Sequence, residues 1–328
     1  MKYLQTILLT FIVMLLSGCA VTSQEPISKT GFYFDTVITI TIYDSDKEDL
    51  LEQCFSYCDA FEKQISRTIE TSEVSRVNAA KGQPVEVSET TLELIKKGIE
   101  YGDLTDGAFD ITISPLSELW DFKNNPGTVP SDNEIFEALS HVNYESIIIE
   151  GNAVALTDPD AAIDLGGIAK GYIADKLKEY LLGEGVQSAL INLGGNILTI
   201  GEKPNGTAFN IGIQRPFDEQ NTTITSVAVR NSSVVTSGSY ERYFKTDDKI
   251  YHHILNTQTG YPCDNGLLSV TILSDKSVDG DALSTACFAL GLEDGQKLID
   301  AMQNVEAIFV TEEYQIIDTR NHDYRLGR

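Results

Sequence analysis

The chain has 328 residues, 42% of them hydrophobic, enough to bury one large core or two ordinary ones. Its 49 acidic and 24 basic side chains leave a net charge of −25, which argues against nucleic acid as a partner, because phosphates are met chiefly by Lys and Arg. The same field repels any phosphorylated ligand, so a site for one needs local help from a cation, a helix N-terminus or backbone N–H groups.

In chain order, the basic start Met1-Lys2-Tyr3 leads into a largely apolar run, Leu4 to Leu16, too short for a membrane span and suited to an export signal. It ends in Leu16-Ser17-Gly18-Cys19, which resembles a bacterial lipobox; residues 1–18 are then a lipoprotein signal peptide and Cys19 the lipidated N-terminus. Residues 19–30 are polar, carry Pro26 and read as a tether. The localisation expected is the extracytoplasmic face of the cell membrane, held by a lipid anchor. Cys54, Cys58, Cys263 and Cys287 remain, and all four read as core thiols: positions 54 and 58 share a helix face but not disulfide geometry, and no His lies near enough to suggest zinc.

Residues 33–43 alternate as a strand, 46–65 have helical spacing, and Ser88 opens a helix over 89–101. A turn-rich stretch through Gly107 follows. Ser131 caps a short helix, and Gly151-Asn152 turns a hairpin between 147–149 and 153–156. Residues 163–182 begin as a strand, turn at Gly166-Gly167 and continue as a helix. Further strands are expected at 188–200 (broken at Gly194-Gly195), 209–213, 224–229, 234–236, 251–255 and 268–273. Helices at 277–290 and 292–302 and a last strand pair, 306–310 and 315–318, close the chain. Without regular βα alternation the fold class is α+β, one catalytic domain over 31–328 of mixed sheets and flanking helices, compact or in two lobes.

Several clusters could carry chemistry. In Asp279-Gly280-Asp281-Ala282-Leu283-Ser284-Thr285, the Asp281 carboxylate and Thr285 hydroxyl lie four apart on one helix face, hard oxygens suited to Mg²⁺; capping, with Asp279 as N-cap, is the other reading. Asp164-Leu165-Gly166-Gly167-Ile168-Ala169-Lys170 puts two glycines and a cation at a helix start, either an anion-binding turn or a tight turn with a surface Lys. Asn192-Leu193-Gly194-Gly195-Asn196 marks a bulge or a close backbone approach. Ser237 lacks the surroundings of a hydrolase nucleophile. In an alternating strand, the rings of His252 and His253 point to opposite faces, one toward a cleft and one toward solvent, so they cannot share a metal; a structural histidine is the other reading.

Together, Gly107-Ala108-Phe109-Asp110 through Ser114-Pro115-Leu116, then DLGGIAKGY, NLGGN, TSGSYERYF, HHI…TGYP and DALSTA, in this order and spacing, resemble the ApbE family. The resemblance implies an Mg²⁺-dependent lipoprotein enzyme that splits FAD and transfers FMN to a Thr or Ser hydroxyl of a target protein, releasing AMP. Its acceptors would be flavoprotein subunits of extracytoplasmic respiratory complexes. By the same resemblance, Asp281, Thr285 and the Gly167 carbonyl would hold Mg²⁺. Phe34, Thr68, Ala108, Phe109, Asp110, Asp164 and Lys170 would contact FAD, with Ile254 or Leu255 packed near the flavin. His253 would act with Asp281 in catalysis, as a base of pKa near 7 taking the acceptor proton. The chain departs from the family pattern at Phe34-Asp35-Thr36, where Met-Gly-Thr is usual, and at Asn256-Thr257, where Asp-Pro is usual. Hydrolysis of FAD to FMN and AMP, and flavin binding without turnover, are the alternatives.

Overall fold

The structure, a computed structural model, describes residues 25–125, 127–219, 222–246 and 249–320; the export segment and Cys19 lie outside them. Strand β1 (Ile27–Tyr33) turns through Phe34 and Asp35 into β2 (Thr36–Ile42). The first strand thus takes in Ile27 to Thr30, four residues the sequence assigned to the tether. Phe34 and Asp35 have φ of 54° and 57°, the two left-handed centres of a type I′ turn, a conformation that favours Asn-Gly over a bulky pair.

Helices α1 (Glu48–Ile65) and α2 (Glu73–Ala79), strand β3 (Val85–Glu86), and α3 (Glu89–Leu104), α4 (Ser114–Trp120) and α5 (Asp132–Leu139) follow. Ser88 caps α3 by accepting from Thr91 N, and Ser131 with Glu134 forms a full capping box on α5. Strands β4 (Ile147–Glu150) and β5 (Ala153–Leu156) make the expected hairpin. No strand forms at Ile163, however. The Asn78 amide brackets that residue, donating to its carbonyl (2.9 Å) and accepting from its N–H (2.7 Å), so a side chain takes the place of a neighbouring strand. Helix α6 (Ala169–Gly183) follows the turn.

The rest is mainly sheet: β6 (Ala189–Leu193), β7 (Asn196–Ile200), β8 (Phe209–Gln214), β9 (Thr223–Val229), β10 (Ser233–Gly238), β11 (Tyr243–Thr246), β12 (Lys249–His252) and β13 (Leu267–Ser274). Helix α7 (Ser277–Asp300) breaks at Gly291, where φ is 81°, matching the two helices expected; β14 (Val305–Thr311) and β15 (Ile316–Asp318) end the described chain. Eight strands form one antiparallel sheet in the order β1-β2-β6-β7-β10-β13-β14-β15.

Helices α1, α3, α6 and α7 pack on the sheet over one large core with Ile38, Ile40, Ile191, Leu198, Ile272 and Phe309. The β8–β9 hairpin covers a second cluster through Phe209, Ile211, Ile213, Val234, Leu273 and Ile308. A third gathers Leu116, Trp120, Ile135 and Leu255 with the rings of Phe122, Phe244, Tyr251 and Tyr261. The fold is thus α+β, one large core with two satellites. The four described cysteines are buried free thiols, and burial raises Cys54 and Cys58 to about 12. No helix among the described residues is long and apolar enough to cross a membrane.

Candidate active site

The glycine turn before α6 and the first turns of α7 meet at backbone contact. A Cβ on Gly171 would lie 2.2 Å from the Ser277 carbonyl oxygen, so only glycine lets the helices come this close. The cap of α7 is not Asp279, as the capping reading had it; Tyr101 donates its hydroxyl to that carboxylate instead (2.6 Å). Asp175 of α6 is the cap, accepting from Ser277 N (2.8 Å) and Val278 N (2.9 Å) across 102 residues of sequence. Burial pushes the Asp175 carboxyl up to about 6 despite both N–H donors.

This junction sets the orientation of Asp281. It is 4% exposed, and its Oδ2 accepts from Gly171 N at 2.8 Å. Its Oδ1 instead faces the Lys170 ammonium at 3.6 Å, which also donates to the Gly166 carbonyl at 3.3 Å. One turn on, Thr285 Oγ1 pairs with Ser237 Oγ at 3.1 Å and would lie 4.0 Å from a Cβ on Gly167. The structure therefore brings Gly167, Asp281 and Thr285 together. A carboxylate and a hydroxyl beside a glycine turn are an oxygen donor set that fits Mg²⁺, and the ammonium already drawn there acts as a stand-in cation.

Around this centre the turn is braced. Asp164 accepts from Gly166 N (2.8 Å) through Oδ1 and from Arg67 Nε (2.8 Å) through Oδ2. The Phe109 ring underlies Gly167, 3.1 Å from where a Cβ would stand. Ala108 lines a recess of about 260 Å³ with Thr105, Asn256 and Leu290. Asp110 accepts from Thr112 N and Oγ1 and from Tyr144 N. Thr68 is exposed beside Arg67, its hydroxyl paired with Ser66 Oγ at 3.0 Å. Phe34 donates its N–H to Glu62 (2.7 Å) and packs on Phe61. Asp35 pairs with Lys123 at 2.6 Å across the mouth of a larger recess, about 420 Å³, lined also by Phe32, Phe122, Arg242 and Tyr243.

Of the two histidines, His252 takes the structural role that was the other reading of the pair. His252 does not see solvent: it lies in the core, edge-on to Phe288. Its Nδ1 accepts from Ile254 N, so Nε2 carries the proton and donates to the Cys263 carbonyl (2.9 Å). β12 ends there, and His253 is instead tied by its backbone N–H to the Arg242 carbonyl (3.1 Å). The buried Nδ1 of His253 has no hydrogen-bond partner among the described residues. Nor is this ring poised near 7. Burial first, then the charges of Arg242, His252 and Lys170, lower it to about 3, so it is held neutral. Ile254 and Leu255 are 4% and 6% exposed, the first in the main core and the second against Trp120, leaving little side-chain surface for a flavin. At the second departure from the family pattern, Asn256 Oδ1 accepts from Gln258 N and Thr259 N as an aspartate would, and Thr257 donates to the Gly107 carbonyl.

Sequence reading missed Asp175, Arg67 and Ser237. The first two act over 102 and 97 residues and carry no local signal, whereas Ser237 lay within a motif already singled out.

The model of the ApbE family matches residues 34–309. A FAD:protein FMN transferase of Klebsiella pneumoniae (strain 342) is 38% identical over 283 residues, covering 85% of this chain and 87% of that protein. One from Treponema pallidum (strain Nichols) is 31% identical over 303 residues, covering 86% and 84%. The crystal structure of the ApbE protein of Thermotoga maritima superposes with a TM-score of 0.83 at 33% identity over 90% of this chain and 97% of that one. The flavin transferase ApbE of Vibrio cholerae gives 0.80 at 27%, over 90% and 96%.

Proposed function

The chain belongs to the ApbE family, and we propose that it is a flavin transferase that moves FMN from FAD to a Thr or Ser hydroxyl of a target protein, with Mg²⁺ bound. The observation that supports this reading is that Gly167, Asp281 and Thr285 lie together, with the Lys170 ammonium already on Asp281.

In this reading the acceptor oxygen forms a bond to the FMN-side phosphorus. The pyrophosphate P–O bond breaks, and AMP leaves with the bridging oxygen. Asp281, Thr285 and the Gly167 carbonyl would hold Mg²⁺, which neutralises negative charge on the pyrophosphate when bound. Lys170 and Arg242 supply further positive charge where the net charge of −25 is otherwise adverse. The His253 imidazole takes the acceptor's proton. Burial is the first cause of the ring's low basicity; an anionic pyrophosphate beside Arg242 and Lys170 would offset two of the charges that add to it. The glycine turn brings free backbone N–H groups near the phosphates.

We further propose that Cys19 is lipidated and holds the domain at the extracytoplasmic face of the membrane, where its acceptors are flavoprotein subunits of respiratory complexes. Cys19→Ser should then move the protein from the membrane to the soluble fraction; retention in the membrane would remove the anchor.

The reaction is tested by incubating the purified protein with FAD, Mg²⁺ and a Thr-bearing candidate acceptor and weighing the acceptor. A mass gain of FMN less water supports transfer. FMN and AMP beside unmodified acceptor would make the protein a FAD pyrophosphatase, and intact FAD would make it a flavin binder.

A further inference from the structure

Lys170 stands in the first turn of α6 with its ammonium 3.6 Å from Asp281 Oδ1 and 3.3 Å from the Gly166 carbonyl oxygen. The other oxygen of Asp281 is held by Gly171 N, so Oδ1 is the atom left for a divalent ion, and Lys170 attends that atom. The two partners differ in freedom. The Asp281 side chain is 6% exposed and fixed by a backbone N–H, whereas Lys170 is 26% exposed on a flexible four-carbon stem.

We propose that Lys170 is an internal counter-ion: it fills the cation position of the substrate-free protein and hands Asp281 over to Mg²⁺ when the pyrophosphate of FAD offers it a new anionic partner. This rests on the metal reading of the site given above. Two cations cannot share one carboxylate oxygen without strong mutual repulsion in a buried setting. A buried carboxylate with no cation is also unfavourable, so some positive group must stand there at every stage. The dinucleotide resolves the competition because its phosphates draw the ammonium outward while the ion enters. Lysine suits the task better than arginine, whose planar fork would grip the carboxylate more firmly. The consequence is positive and reciprocal coupling between Mg²⁺ and FAD, with weak binding of either alone.

The test is calorimetric titration of Mg²⁺ into the wild-type protein and the K170M, K170R and D281A variants, all without FAD. K170Q serves as the second uncharged variant should K170M not yield folded protein. K170M should bind Mg²⁺ about tenfold more tightly than wild type, a size typical of coupled sites, while K170R, gripping the carboxylate more firmly, should bind it more weakly than wild type. FAD binding without metal, followed by flavin fluorescence, should weaken about tenfold in K170M. Equal or weaker Mg²⁺ binding by the uncharged variants would overturn the exchange while leaving the metal site standing. If no protein shows Mg²⁺ binding that D281A removes, the metal reading itself fails and the exchange with it.

Discussion

On the α6–α7 side of the cleft, the reactive groups are set by backbone. Gly171 touches the Ser277 carbonyl, Asp175 caps the incoming helix, and Asp281 is fixed by an N–H before any ligand arrives. On the histidine side they are set by packed side chains: His252 braced on Cys263 and Phe288, and Trp120 stacked on Phe122 and Tyr251 while donating to the Gly260 carbonyl (2.8 Å). The first side places oxygens within narrow limits, as a small, strict cation requires. The second holds a neutral imidazole whose buried Nδ1 has no hydrogen-bond partner among the described residues. Position is built in on the first side; on the second, burial first and then the charge of Arg242 keep the ring neutral.

Substitutions on the two sides should therefore fail differently. Asp281→Ala should lower turnover by about 10³-fold or more with melting temperature nearly unchanged, checked by AMP release and thermal denaturation. His253→Ala should slow transfer by about 10²-fold, at the low end for a general base, with FAD affinity altered by less than about threefold. Equal losses in rate and affinity would make His253 a binding residue and erase the contrast. Gly171→Ala should cost about 1–3 kcal/mol of stability by denaturant melts, because the new methyl meets backbone rather than a movable side chain. It should lower activity too, since the same shift displaces Asp281.

The smallest effect concerns Asp175. Its folded-state value of about 6 exceeds the ordinary 3.8, so between these values the native protein holds more protons than the unfolded chain, and stability falls as pH rises through this window. Asp175→Asn should flatten that fall by about 2–4 °C in melting temperature between pH 4 and pH 6. An unchanged slope would mean that the cap is not titrating there.

The α6–α7 side was the more legible in the sequence, and the reason is physical. Asp281 and Thr285 are one helical turn apart, and the Gly166-Gly167-Lys170 turn is contiguous, so local spacing carries their geometry. Strands such as 36–42, with Ile38, Ile40 and Ile42 inward, announced themselves by period-two patterning. What was hidden depends on partners remote in sequence. Ile163 looked like a strand because it is apolar and buried, but Asn78 satisfies its backbone from 85 residues away. His252 looked like half of an exposed alternation, yet Phe288 and Cys263 fold over it. Asp110 sat in a motif associated with cofactor contact, while its oxygens bond Thr112 and Tyr144. The low basicity of His253 was out of reach too, because its burial, and then the nearness of Arg242, arise only in the fold.

The most direct test is a crystal of the protein soaked with FAD and Mn²⁺, a heavier substitute for Mg²⁺ visible by anomalous scattering. The account predicts one anomalous peak about 2.1–2.2 Å from Asp281 Oδ1, Thr285 Oγ1 and the Gly167 carbonyl oxygen. A peak elsewhere, or none with FAD clearly bound, would contradict it.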